Sequence, residues 1–219
     1  MWHSLSLPWR ACLSAAWEAY CAGTYPIGAA VVGADGCLIS TGRNRVREAR
    51  EVRTDFLAGT NLAHAEINAL LAVPPGAPDP RTLAVYTTTE PCPMCAGAIV
   101  MADVRAVRYA ARDPWAGATD MYQHNDYLRA KAIQVEGPLD RLGGQALETL
   151  IFALQVDFFC SPWSGGKVGV RLALLERMAE ANPAGVALGE KLQAEGRLEE
   201  MRGAGVPPSM VFDTLEKEI

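Results

Sequence analysis

Two short pieces of this chain hold the side chains of a metal-assisted reaction. His64-Ala65-Glu66 brings an imidazole and a carboxylate, and Pro91-Cys92-Pro93-Met94-Cys95 brings two thiols. One histidine and two cysteines make a ligand set for Zn2+ that leaves the fourth tetrahedral position open, as a reactive site needs. Two thiolates and a neutral imidazole also balance the ion's charge, so a water at the open position gives up a proton readily. Glu66 is the carboxylate at hand to take it.

A lone Cys-x-x-Cys also fits a redox pair or half of a structural zinc knuckle. The chain has no second Cys-x-x-Cys and no paired histidines to complete a knuckle, and the alanine-rich stretch after Met94 brings no further redox feature.

Such ligands must be aimed by the elements that carry them. Pro91 suits a helix start, because its missing N–H is one that a first turn leaves unbonded. Cys92 and Cys95, three apart, then share a helix face, where the positive end of the helix dipole favours thiolates. His64 and Glu66 are two apart and would diverge in mid-helix, so they can flank one ion only near a helix start. The pattern predicts that helix over 62–72, capped by Asn61, with Ile67, Leu70 and Leu71 facing the core.

Around these pieces the chain alternates. Trp9, Leu13, Ala16, Trp17 and Tyr20 recur at helical spacing. Strands over 27–32 and 37–41 flank the turn Ala34-Asp35-Gly36, and further strands are expected at 83–87, 106–109 and 132–135. The cysteine helix is expected to end near Asp103, and a long helix to run over 139–160. Helices alternating with strands after an opening hairpin predict a three-layer α/β/α domain. After the turn-rich linker at 161–166 come charged helical patterns at 171–181 and 184–203, and a short helix beyond Pro207-Pro208. We therefore expect a domain at 1–160 and a helical extension at 161–219, the latter serving in packing, dimer or lid work.

Composition bounds the rest. The 219 residues suffice for one domain with an extension, half of them are hydrophobic, and 21% are charged, as in an ordinary soluble protein. A formal charge of −5 speaks against general affinity for nucleic acid. Residues 43–60 hold five arginines interleaved with Glu48, Glu51 and Asp55, which reads as a solvated helix laced with ion pairs; a phosphate-contacting face or a lid is the sharper alternative. Cys12, Cys21, Cys37 and Cys160 lack framework spacing and read as buried thiols of a reducing compartment. Met1 to Arg10 lacks the pattern of a signal peptide and no apolar run spans a bilayer, so a cytoplasmic protein is expected.

The two motif pieces resemble the His-x-Glu and Pro-Cys-x-x-Cys signature of the cytidine and deoxycytidylate deaminase superfamily. With Pro26-Ile27-Gly28-Ala29, Gly42-Arg43-Asn44 and Ala111-Arg112-Asp113, the chain looks most like the branch holding guanine deaminase and tRNA adenosine deaminase. The resemblance covers residues 1–160. It implies a cytidine-deaminase-like fold with a mixed five-stranded sheet whose last two strands are parallel. It also implies one zinc ion on His64, Cys92 and Cys95, and a homodimer or larger assembly. The implied reaction is hydrolytic deamination of a nucleobase ring, with Glu66 shuttling protons. Asn44 inherits a hydrogen bond to the base, and a backbone amide near Cys92 and Ala65 inherits contact with the water or developing oxygen. The segment after the fourth strand borders the site in that family, which makes Trp115 and His124 candidate substrate contacts.

Two substrate classes fit. A free base or nucleoside is the first reading, supported by the acidic balance and the absence of a basic terminal segment. A tRNA adenosine is the alternative, because the motif pieces are shared within the branch. A non-catalytic zinc protein is a third reading, against which Glu66 stands.

Overall fold

The computed structural model describes residues 1–139, 144–162, 164 and 168–219. The first apolar stripe forms α1 (Leu7–Cys21), with Pro8 in its opening turn, and its five periodic residues all point into the core. β1 (Gly28–Val32) and β2 (Leu38–Arg43) pair antiparallel across the expected turn.

Residues 43–60 do not form a helix. Beyond Arg43, which ends β2, their only regular structure is a two-stranded ribbon of β3 (Glu51–Val52) and β4 (Leu57–Ala58). Helices in proteins are held mainly by an apolar face, and this charge-alternating stretch has none to bury. It is tied down instead by Asn68 of α2 (Ala65–Leu71). The Asn68 side chain accepts from the Leu57 amide at 2.8 Å and donates to the Arg43 and Leu57 carbonyls at 3.0 and 3.1 Å.

β5 (Ala84–Thr89), α3 (Pro93–Met101), β6 (Ala106–Ala111), α4 (Asp126–Lys131) and β7 (Gln134–Glu136) follow. The strands form one mixed sheet in the order β2-β1-β5-β6-β7, antiparallel on the β1 side and parallel from β5 to β7. In β5 and β6 only Tyr86 and Arg108 escape full burial, the pattern of parallel strands covered on both faces. Alternation sends Ala29, Val31, Val85 and Val107 toward α2 and α3, while Ala30 and Val32 meet Cys12 of α1.

α5 (Gly144–Cys160) covers the sheet on the α1 side and continues into α6 (Val168–Ala181), α7 (Pro183–Glu195), α8 (Arg197–Gly203) and α9 (Pro208–Leu215). The expected start of the long helix at 139–143, and linker residues 163 and 165–167, lie partly or wholly outside the described residues. The pattern over 184–203 divides at Gly196, whose φ of +66° breaks it into α7 and α8. Val186, Leu192, Leu198, Val211, Phe212 and Leu215 share one apolar cluster with α1 and α5. Trp2 stacks on Phe212, and the Trp17 indole donates to the Val206 carbonyl at 3.0 Å.

Two local expectations need correcting. Leu71 is exposed, because α2 turns Ala65, Asn68 and Ala69 to the sheet instead. Gly42 explains that choice: a Cβ there would sit 2.2 Å from the Ala69 nitrogen, so the helix lies against β2 and only small residues fit between. Of the four cysteines outside the motif, only Cys12 is buried, and Cys37 is exposed on the hairpin. Among the described residues no helix is long and apolar enough to cross a membrane.

Candidate active site

The starts of α2 and α3 meet. His64 is the N-cap of α2 and Cys92 the N-cap of α3, both with extended backbone (ψ 158° and 170°), and neither side chain bonds its own helix. The cap therefore falls at His64 and not at Asn61, and α3 opens on Pro93, two residues later than Pro91 implied. Because an N-cap side chain stands outside the helical turn, both are free to swing toward a common point.

That point also receives Cys95 from the first turn of α3. His64 Nδ1 lies 3.6 Å from the Cys92 Sγ and 3.6 Å from the Cys95 Sγ, and the three ligand atoms fall within 4.8 Å of one another. Zn–S bonds of about 2.3 Å and Zn–N bonds of about 2.0–2.1 Å at a tetrahedral angle separate N from S by about 3.5 Å. The donor set fits zinc in type and in span. Cys92 is also ready as a ligand. The Cys95 thiol and then His64 donate toward it, holding it down to about 4 despite burial, so it is a thiolate at neutral pH. The same bond and burial push Cys95 up.

Glu66 occupies the first turn of α2 and is only 4% exposed. Its Oε1 accepts from the Thr87 hydroxyl at 3.1 Å, and its Oε2 lies 3.4 Å from the Cys95 Sγ. Burial pushes its carboxyl above the ordinary range, against the pull of His64. Among the described residues no lysine or arginine is paired with it. A buried carboxylate kept without a cation is costly, and here it sits against the metal ligands. Ala65, wholly buried, opens α2, so only its backbone amide, one of the first-turn N–H groups without a helical acceptor, is available to a ligand.

The other candidates divide. Asn44 is 1% exposed, just past β2, where its own N–H donates to the Ile27 carbonyl. Its Oδ1 accepts from the Thr24 hydroxyl at 2.7 Å and the Val46 amide at 3.0 Å, while its amide nitrogen has no partner among the described residues. The side chain thus does turn work with one end and keeps a donor with the other. Trp115 is 49% exposed and stands on the rim of a cavity with Ile27, Thr89 and Asp113. His124 is not brought there. It is exposed on a short 3-10 turn with Asp120 at 3.5 Å.

Sequence reasoning missed several supports. Thr87 had no motif to mark it, although its even spacing from Val85 along β5 puts it on the α2 face. Arg112 donates to Glu148 of α5 through its amide and its Nε, at 3.1 and 2.9 Å. Asp113 accepts from the amides of Trp115 and Ala116, both at 2.9 Å. These bonds fix the turn after β6 beside the ligands, where the charges of Asp113, His64 and Cys92 influence one another.

A mixed α/β/α sheet with an imidazole, two thiols and a buried acid at two helix starts defines a domain with a zinc-type ligand set. Residues 5–111, just under half of the chain, match the model of the cytidine and deoxycytidylate deaminase zinc-binding region. A tRNA-specific adenosine deaminase of Agrobacterium fabrum is 38% identical over 97 residues, 43% of this chain and 57% of that one. A guanine deaminase of Bacillus subtilis is 39% identical over 88 residues, 39% of this chain and 50% of that one. A tRNA(Ile)-lysidine synthase of Deinococcus radiodurans is 39% identical over 95 residues, 42% of this chain but 15% of that one. The chain thus spans about half the length of the two deaminases it resembles, and far less of the synthase.

Proposed function

We propose that this protein is a hydrolytic deaminase of a free nucleobase or nucleoside, working in the cytoplasm as a homodimer. The observation that carries the chemistry is a buried carboxylate, with no lysine or arginine paired to it among the described residues, against a three-ligand zinc set of His64, Cys92 and Cys95. Zinc held there would supply the Lewis acidity that makes water a nucleophile at neutral pH. Glu66 takes the proton of the attacking water and delivers it to the ring nitrogen beside the amino-bearing carbon. It then carries the second proton to the leaving amine, so a C–O bond forms, the C–N bond breaks and ammonia departs. Thr87 holds Glu66 in place through Oε1. Asn44 offers its amide nitrogen to an acceptor on the base, and the Ala65 amide faces the reacting carbon's oxygen.

The pairing of the arginines supports a small substrate. Arg43 and Arg45 both pair with Glu48, Arg53 lies beside Glu51 and Asp55, and Arg45 and Arg53 flank the Phe56 ring. Paired guanidiniums release few counterions on meeting phosphate, so this stretch makes a poor RNA dock. A tRNA adenosine is the second reading, favoured by the likeness to the tRNA-specific adenosine deaminase.

Ammonia release from purified protein, measured across free bases, nucleosides and a tRNA anticodon stem-loop, tests both. We expect turnover of a small substrate that changes little between about 50 and 300 mM salt. Inosine in the stem-loop, with a steep salt slope, would install the second reading.

A further inference from the structure

The cavity under Trp115, lined also by Asp113, whose charge acts on His64 and Cys92, has a wall that no motif announces. Its volume is about 120 Å³. On one side stand Ile27, whose carbonyl accepts from the Asn44 amide, Thr89 at the end of the strand leading to Cys92, and Asp113 just past β6. On the other stand Leu174 and Met178, one turn apart on α6, which belongs to the stretch after residue 160. Gln155 of α5 crosses the floor, donating to the Thr89 hydroxyl at 2.7 Å. Arg177, between the two apolar residues in sequence, reaches over the rim and sets its guanidinium 5.2 Å from the centre of the Trp115 ring.

Three physical points bear on what such a space takes. It is a small space, suited to a ring system more than to a nucleotide with its neighbours. Apolar side chains opposite a row of polar groups suit a flat heterocycle, which needs a face to lie on and an edge to be read. Met178 is only 1% exposed, so the wall is part of the packed core and cannot be a loose tail resting on the surface. Arginine over tryptophan is an attractive cation–π pairing that biases the rim closed.

The geometry points to α6 as the specificity wall of the active site: Leu174 and Met178 hold the face of a free base, and the Arg177–Trp115 contact closes the rim against larger substrates. The inference rests on the deaminase reading above and adds to it the part of the chain that chooses the substrate. α6 residues are positioning and selecting groups here, and the proton chemistry stays with Glu66.

The test compares free bases with their nucleosides in zinc-loaded protein carrying Leu174→Ala or Arg177→Ala. Opening the wall should raise KM for the preferred base by about 10-fold with little change in kcat, and move the base-to-nucleoside ratio of kcat/KM toward the nucleoside by a similar factor. Leu174→Met, which nearly conserves volume, should restore the ratio. A readout without turnover accompanies it: quenching of tryptophan fluorescence by the same base in Glu66→Gln protein, weakened by Leu174→Ala. If bases bind and turn over equally well in every α6 variant, the deaminase reading stands and the wall is overturned. If the unaltered protein neither binds nor deaminates any base or nucleoside, both are overturned.

Discussion

α4 and α7 begin on asparagines that cap them, and α2 and α3 begin on residues that do not. Asn125 Oδ1 accepts from the Leu128 amide at 2.9 Å, and Asn182 Oδ1 from the Gly185 amide at 2.8 Å. His64 and Cys92 hold the same positions on their helices, yet turn away and face each other. A side-chain cap stabilises a helix by about 1 kcal/mol, so the two central helices each forgo about that much. They are also short, seven and nine residues, and are held by their packing against the sheet. The peripheral helices place the cap where it satisfies the backbone. The central ones place a ligand there instead, because the N-cap side chain is the one best able to leave its own helix and reach the next.

The sharpest way to break this comparison is His64→Asn. It should abolish high-affinity zinc binding and turnover, while metal-free protein gains up to about 1 kcal/mol in denaturant unfolding as α2 acquires a true cap. Zinc analysis and urea titration in chelator read the two effects separately. Full zinc occupancy in that variant would mean His64 is no ligand.

Glu66→Gln probes the same helix one position into its first turn. Zinc content and fold should persist while turnover falls about 100- to 10,000-fold, the usual worth of a general acid–base. Activity near that of the unaltered protein would return Glu66 to a structural role.

Asn44→Ala is expected to be intermediate and mixed. Losing the amide donor should lower kcat/KM by about 10- to 1,000-fold. Losing Oδ1 strands the Thr24 hydroxyl and Val46 amide and should cost about 1–2 kcal/mol of stability. A stability loss with kcat/KM unmoved would leave Asn44 with its turn work alone.

Asn182→Ala gives the smallest change and the control. It should cost about 1 kcal/mol in thermal or denaturant unfolding with zinc content untouched. A drop in bound zinc would show that the two kinds of helix start are coupled through the core, against the separation drawn here.

Much of the fold was legible because its signals are local. The stripe of α1, the opening hairpin and the buried runs of β5 and β6 each follow from periodicity within a few residues. Residues 43–60 were misjudged for the opposite reason. Their charge pattern was compatible with a helix, but whether one forms depended on having a face to bury, and Asn68, from a different element, held the loop open instead. Leu71 failed likewise, since the face α2 turns inward was chosen by the gap at Gly42.

The amino-acid sequence by itself determined the chemistry of this protein: one imidazole, two thiols and one carboxylate in two short motifs whose residue types suit few other purposes. Spacing within a motif is set by backbone geometry, so the helix starts that aim these groups could be read in advance. Only the tertiary structure decided what surrounds them. Thr87 reaches Glu66 across 21 positions of sequence, Gln155 reaches Thr89 across 66, and α6 meets the cavity from beyond residue 160, while His124 is left outside. Such meetings depend on how closely packed layers fit, a property of side-chain volumes summed over the whole core that no local pattern encodes.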